Sequence, residues 1–146
     1  MRRLLVAFAL LLAGCSTGES RVAGDVRNVS DVTVNLRVEP ARAKPGAAVR
    51  MTLSLMNNSG RPRTLTYPTS QRYDFWVTSG GREIWRSSSE RMFGQAQDQE
   101  ALQGQSGTRY AETWTPTAEG TYVVHAELKA EGFEGELSTE IAVEAS

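Results

Sequence analysis

The chain has one cysteine, one histidine and no stretch with a sustained helical period, and each shortage closes off a class of function. With no thiol beyond Cys15, neither a Cys–His nucleophile pair nor a zinc site of Cys and His is available. A Ser-His-Asp triad would have to use His125, with Asp74 or Asp98 among the available carboxylates. No serine stands in a nucleophile-elbow motif, and alternation puts His125 mid-strand, facing out beside Val123 and Glu127. No glycine-rich phosphate loop is present. Glu131, Glu134 and Glu136 around Gly132 and Gly135 lack the Asp/Asn alternation of a calcium loop. They read as a solvated hairpin with Phe133 at its tip or tucked in. Charge of one sign is also missing: 16 basic residues against 17 acidic give no basic excess, so nucleic acid is not an expected partner. No enzyme activity, cofactor, metal or small-molecule substrate is expected.

Long hydrophobic runs are scarce as well. The one near the N-terminus, Leu4 to Leu12, follows Arg2 and Arg3 and is too short to span a bilayer as a mature helix. It reads as an export signal. Its end, Leu12-Ala13-Gly14-Cys15, resembles the lipobox of bacterial lipoproteins. That resemblance implies a signal peptide over 1–14, cleavage before Cys15, and lipidation of its thiol. Two or three acyl chains, at about 0.8 kcal/mol per buried methylene, would hold the protein on a membrane. Ser16 in place of Asp resembles outer-membrane sorting, where the organism has an outer membrane. Loss of Arg2 and Arg3 lowers the basic count from 16 to 14 against 17 acidic residues, a net charge of −3. With Cys15 acylated no disulfide remains, so a domain in an oxidising compartment must rest on its core. Residues 15–30, polar and small, read as a flexible tether, and 31–146 as one domain.

Within that domain the apolar period is two. Val32, Val34, Leu36 and Val38 alternate with polar residues up to Pro40, and Val49, Met51, Leu53 and Leu55 alternate up to the turn at Asn57-Asn58-Ser59-Gly60. "RTLTYP", two strands about Gly80-Gly81, "TRYAETW", "GTYVVHAEL" and "ELSTEIAVEA" complete a set of about seven to eight. The pattern predicts an all-β fold, an immunoglobulin-like antiparallel β-sandwich with a long, partly irregular connection. Tyr122, opening a late strand after Gly120, has the placement of a tyrosine corner or of a plain inward-facing strand residue.

The aromatic run Tyr73-Asp74-Phe75-Trp76, followed by Trp85, needs a hairpin to explain it. A two-residue turn at Gly80-Gly81 sets Val77 opposite Ile84 and Trp76 opposite Trp85. Tyr73, Phe75, Val77 and Ile84 then face the core, while Asp74, Trp76, Thr78, Glu83 and Trp85 share the other face. A one-residue bulge at the glycines would instead swing Trp85 to the core. The segment 86–107 is long and polar, with Met92, Phe93 and Leu102 at intervals and one helical turn expected over 97–102. It either packs over the tryptophans or leaves them as a surface patch.

"SQRYDFWV", "IWRSS", "FGQA", "ALQGQSGTRYAETW" and "GTYVVHAEL", in this order, resemble the BsuPI family, whose namesake is an intracellular proteinase inhibitor from Bacillus. The match falls on Ser70–Phe75, Ile84–Arg86, Phe93–Ala96, Leu102–Gly104, Tyr110–Trp114 and Gly120–Tyr122, across roughly 48–130. Two departures are a short Gly80-Gly81 turn and Gln103-Gly104 in place of Pro-Gly. The namesake is also cytoplasmic, whereas this leader implies export. The resemblance implies a non-catalytic inhibitor, here anchored to the cell envelope, whose partner is a serine protease. The candidate protein-contact residues are Arg86, Arg91 and Met92, side chains for a protease's specificity pocket, with Trp76 and Trp85. For the two arginines the competing reading is simple solvation, and for Met92 a place in the core beside Phe93. The alternative function is an immunoglobulin-like interaction or assembly module that binds another envelope protein through a sheet edge or the Trp76/Trp85 face.

Overall fold

The computed structural model describes residues 21–145. Cys15 and the leader expected over 1–14 lie outside the described residues. Eleven strands are present and no helix among those described: β1 (Ala23–Val29), β2 (Val32–Glu39), β3 (Arg42–Ala43), β4 (Val49–Asn57), β5 (Arg63–Tyr67), β6 (Tyr73–Ser79), β7 (Arg82–Arg86), β8 (Asp98–Leu102), β9 (Ser106–Trp114), β10 (Gly120–Leu128) and β11 (Leu137–Val143). The sheets run β1-β2-β4-β9, β3-β11-β10-β6-β7 and, as a small third piece, β5-β8. All pairings are antiparallel except the short β11–β3 contact.

Alternation decides which side chains lie between the two large sheets. In β2, Val32, Val34, Leu36 and Val38 are buried, and opposite them in β4 stand Asn57, Leu55, Leu53 and Met51. Phe75 and Val77 from β6, with Val124, Ala126 and Leu128 from β10, supply the facing layer. Leu36, Leu53 and Phe75 are fully buried, each contributing roughly 1.5–3 kcal/mol by removal of apolar area from water. The sandwich expected from the two-residue period is therefore present.

Three strands were not expected. β1 occupies Ala23–Val29, inside the stretch read as tether, and pairs with β2 along its whole length. Its side chains alternate between half-buried and exposed, so its apolar signal is weak and its backbone pairing holds it. β8 replaces the helical turn expected over 97–102; Leu102 does point inward, but as the last residue of a strand on β5. β3 contributes two residues. Phe133 is tucked in and buried. The Tyr122 hydroxyl donates to the Ala118 carbonyl at 2.7 Å, the upstream backbone bond that the corner reading anticipates.

Asn57 is fully buried and fully satisfied. Its amide donates to the carbonyls of Arg61 (2.8 Å) and Leu102 (3.0 Å), and its carbonyl accepts from Ser59 N (3.0 Å) and Ser59 Oγ (2.8 Å). Using both donors and both lone pairs, it ties the end of β4 to the end of β8.

The sandwich has one closed side and one open side. On the closed side β1 packs against β11: Arg27 Nη1 donates to the Glu134 carbonyl (2.6 Å) and Ser138 N to Asp25 Oδ2 (3.0 Å). On the other side stand the end strands of the two sheets, β7 and β9, and grooves lined by Ile84 and Trp85 of one and Glu112 and Trp114 of the other run along them.

Candidate functional site

The β6–β7 hairpin turns at Gly80 and Gly81, whose φ values of 58° and 79° suit the double positive-φ turn that glycine permits without strain. The register starts as expected, with Ser79 opposite Arg82 and Thr78 opposite Glu83. Then β7 bulges: Val77 pairs with Trp85 and Trp76 with Arg86, which leaves Ile84 as the extra residue. The bulge therefore corrects the two-residue register: Trp85 turns inward as the bulged reading expects, but the extra residue is Ile84, within β7, and the turn at the glycines is regular. Trp85 turns to the core face and packs against it, while Ile84 is 47% exposed. Trp76 and Trp85 share no face.

Trp76 remains on the outer face of its sheet, flanked by its cross-strand neighbours His125 and Arg86. The His125 ring stacks on it at 5.1 Å with an interplanar angle of 2°, and the Arg86 guanidinium lies 4.6 Å from the ring centroid. His125 Nε2 is 2.8 Å from Thr78 Oγ1 and Nδ1 is 3.2 Å from a Glu136 oxygen. The histidine expected to be solvent-facing is instead half-buried within a cross-strand cluster.

Asp74, expected on a solvated face, is buried. Its carboxylate accepts from Arg86 Nη1 (2.6 Å), Ser88 Oγ (2.8 Å) and Ser87 Oγ (3.0 Å). Ser87 also bonds β6 through its backbone N–H to the Phe75 carbonyl (2.9 Å) and through Oγ, which accepts from Phe75 N (3.0 Å). Arg86 pairs with Glu83 as well, and hydrogen bonds to Glu83 and Asp74 hold it further in the charged form. This knot of bonds fixes the root of the segment that follows.

From that root a turn over residues 87–90 leads to Arg91, whose N–H donates to the Ser88 carbonyl (3.1 Å). Arg91 Nη1 donates to Glu112 Oε1 on β9 (2.6 Å) and lies 3.3 Å from the Tyr73 hydroxyl, which itself donates to Glu112 at 2.6 Å. Tyr73 stacks on Tyr110 at 4.8 Å, so the clamp links the two large sheets across the open side. Burial alone would raise the Glu112 carboxyl, but the bonds from Arg91 and Tyr73 outweigh it and hold the group below the ordinary carboxylate range. Burial, then the neighbouring Glu112, pushes the Tyr73 phenol up.

The next residue, Met92, is fully exposed, which corrects its reading as core. Phe93 is half-buried, and Gly94 is held at both backbone ends: its N–H donates to Ser70 Oγ (2.7 Å) and its carbonyl accepts from Ser70 N (2.9 Å). β8 then begins at Asp98, paired to Arg72 at 2.7 Å. Met92 is thus a bare apolar side chain between anchors at Arg91 and Gly94. The segment 86–107 covers Asp74 and the Tyr73–Glu112 edge, and Arg86 at its start lies over Trp76. Of the five expected contact residues, Arg86 and Arg91 are committed to internal ion pairs, Trp85 to the core and Trp76 to its stack, and Met92 alone is free-standing.

Beside the loop, a groove of about 580 Å³ is lined by Ile84, Trp85, Arg86, Glu90, Arg91 and Glu112. A second groove of about 380 Å³ continues along the open side past Ile84, Trp114 and Tyr122. Sequence reasoning missed Glu112, Tyr73 and Ser70 as loop anchors. Their partners lie 18 to 39 residues away in sequence, and no local motif announces such pairs.

Comparison with known proteins gives one family. Residues 32–133 match the family described as "BsuPI: Intracellular proteinase inhibitor". No curated protein matches the sequence. Among solved structures, the fold is similar to part of a cycloisomaltooligosaccharide glucanotransferase from Paenibacillus sp., with 19% identity and a TM-score of 0.49 over 83% of this chain. The chain spans only 14% of that enzyme's length. It is also similar to a CARDB domain from Pyrococcus furiosus (14% identity, TM-score 0.43, 86% of this chain and 94% of that one). A third likeness is to the sporulation control protein Spo0M of Bacillus subtilis (12% identity, TM-score 0.42, 85% of this chain and 49% of that one).

Proposed function

We propose that this chain, which belongs to the BsuPI intracellular proteinase inhibitor family, blocks a serine protease by presenting the loop of residues 87–97 with Met92 at its point. Family membership implies a non-catalytic role with a protease as partner. The observation that carries the reading is the full exposure of Met92 between anchors at Arg91 and Gly94. A loop held on both sides loses little conformational freedom when it binds, and such preorganisation raises affinity. An unbranched apolar side chain fits a hydrophobic specificity slot; a trypsin-like pocket would call for an arginine, and Arg86 and Arg91 are both bound to carboxylates. A standard inhibitory interface buries about 1,600 Å² in total, more than one loop supplies. The grooves along β7 extend the contact.

We place this activity at the cell envelope, on a lipidated Cys15, the support for which is the leader and its lipobox resemblance. Cys15→Ser should then move the protein from the membrane to the soluble fraction and abolish labelling by a radioactive fatty acid. For inhibition, the purified chain is titrated against subtilisin-, chymotrypsin- and trypsin-like proteases. Inhibition of the first two that Met92→Ala weakens is expected; none at micromolar concentration rejects the reading. A second reading, an envelope interaction module, is supported by the unpaired outer edge of β7 with Ile84 exposed. In that case an extended strand of another envelope protein adds to β7, and Ile84→Lys abolishes its recovery in pull-downs.

A further inference from the structure

We infer that Met92 is an oxidation switch: conversion of its thioether to the sulfoxide turns off the loop's contact with a protease. This rests on the inhibitory reading above. Among the described residues the methionines are Met51, fully buried, Met56, 39% exposed, and Met92, 100% exposed. An oxidant in solvent therefore meets Met92 first. The full exposure of Met92 leaves its sulfur without cover, while Arg91 on one side turns to Glu112 and Tyr73 and the backbone of Gly94 on the other to Ser70.

The chemistry needs only a hydroperoxide. With hydrogen peroxide, the thioether sulfur attacks one peroxide oxygen, the S–O bond forms as the O–O bond breaks, and the departing hydroxide takes the proton from the oxygen now on sulfur and leaves as water. Sulfur loses two electrons and the peroxide gains them. Reversal takes a thiol-dependent methionine sulfoxide reductase, which removes the oxygen as water while two thiols join as a disulfide. The product is polar and chiral where the reactant was apolar. An S=O group forced into an apolar specificity pocket loses its water without gaining a donor, and that desolvation opposes binding. The fold is untouched, because the side chain that changes packs against nothing in the free protein.

The test uses the purified full-length chain in detergent, treated with graded hydrogen peroxide and then catalase before any protease is added. Peptide mass spectrometry follows the gain of one oxygen at each methionine, and inhibition of subtilisin- and chymotrypsin-like proteases is titrated in parallel. The expected result is that Met92 gains its oxygen before Met56 and Met51. The inhibition constant should weaken by roughly tenfold or more in step with Met92, and a reductase with dithiothreitol should restore it. Whatever constant Met92→Leu sets, peroxide should leave it where it was, and Met56→Leu should respond as the unaltered chain does. Inhibition that survives complete oxidation of Met92, or oxidation of Met56 ahead of it, overturns the switch alone. Failure of the untreated chain to inhibit any protease is read before oxidant is added; it overturns the inhibitory reading and the switch with it.

Discussion

Removing the Asp74 carboxylate tests how the loop is held. The side chain is 4% exposed and receives three donors, at 2.6, 2.8 and 3.0 Å. Hydrogen bonds to a charged acceptor contribute about 1.5–3 kcal/mol each, which would overstate the loss if simply added. Three effects lower it in Asp74→Ala. Arg86 is 29% exposed and keeps Glu83, Ser87 and Ser88 are half-buried and can turn toward water, and the desolvation cost of the carboxylate disappears with it. Breaking a fully buried pair costs about 3–5 kcal/mol, so a loss of about 2–4 kcal/mol is expected here. Urea unfolding at neutral pH reads it: with a slope of about 1–3 kcal/mol per molar urea, the midpoint falls by about 1 M or more. Because Ser87 and Ser88 root the loop, the same variant should inhibit a protease at least about tenfold more weakly, measured where it remains folded. Asp74→Asn, which keeps the volume and one acceptor, should fall between. A midpoint for Asp74→Ala indistinguishable from the unaltered chain would refute the argument, as would full inhibition from a variant with the expected loss of stability.

Other expectations follow from single sites. Glu112 has its folded pKa depressed, so its contribution to stability is present above the unfolded value, about 4.3, and is lost as pH falls through the folded one. Acid should therefore release Arg91 and speed proteolysis within the loop of residues 87–97, and Glu112→Gln should show fast cleavage at neutral pH with a flatter pH profile. Asn57→Ala strands the Leu102 carbonyl, a cost of about 1–3 kcal/mol, read as an earlier urea midpoint with the slope unchanged. Leu36→Ala, at a fully buried position, should cost about 2–5 kcal/mol. Thr78→Ala should leave protease inhibition intact, because the Thr78–His125–Glu136 chain of contacts lies apart from the loop; lost inhibition in a folded variant would contradict that.

The layers of the sandwich were legible because β2, β4 and β10 each carry apolar residues at every second position, and only one face of such a strand can be buried. β1 was hidden for the opposite reason. Its residues never exceed half-burial, so its strand identity comes from β2's unsatisfied edge rather than from its own sequence. β8 escaped for the same cause: in "DQEAL" only Leu102 is apolar and buried, and β5 supplies the rest of the instruction. For the site, the segment 86–107 was visible as too long and too polar for a connection, and Met92 was visible within it. That Met92 would stand out and Arg91 would not depended on Glu112, Tyr73 and Ser70, which come together only after the sheets stack.

The extra residue in β7 ties these findings together. Without it the hairpin register would run on from Thr78–Glu83 to Val77–Ile84, Trp76–Trp85 and Phe75–Arg86. Phe75 faces the core and is fully buried, so Arg86 would point its charge inward while Trp85 stood in solvent. Burying an unpaired guanidinium costs several kcal/mol, and Asp74 on the outer face would lose its strongest donor. By taking Ile84 out of the ladder, the chain turns Trp85 in and Arg86 out in one step. That step gives Asp74 its counter-ion and brings Ser87 and Ser88 within reach of the same carboxylate. The loop leaves β7 from this point. The direction in which Met92 is offered is therefore set by a one-residue irregularity eight positions upstream, and Ile84, the residue that creates it, is left exposed on the open edge beside the loop.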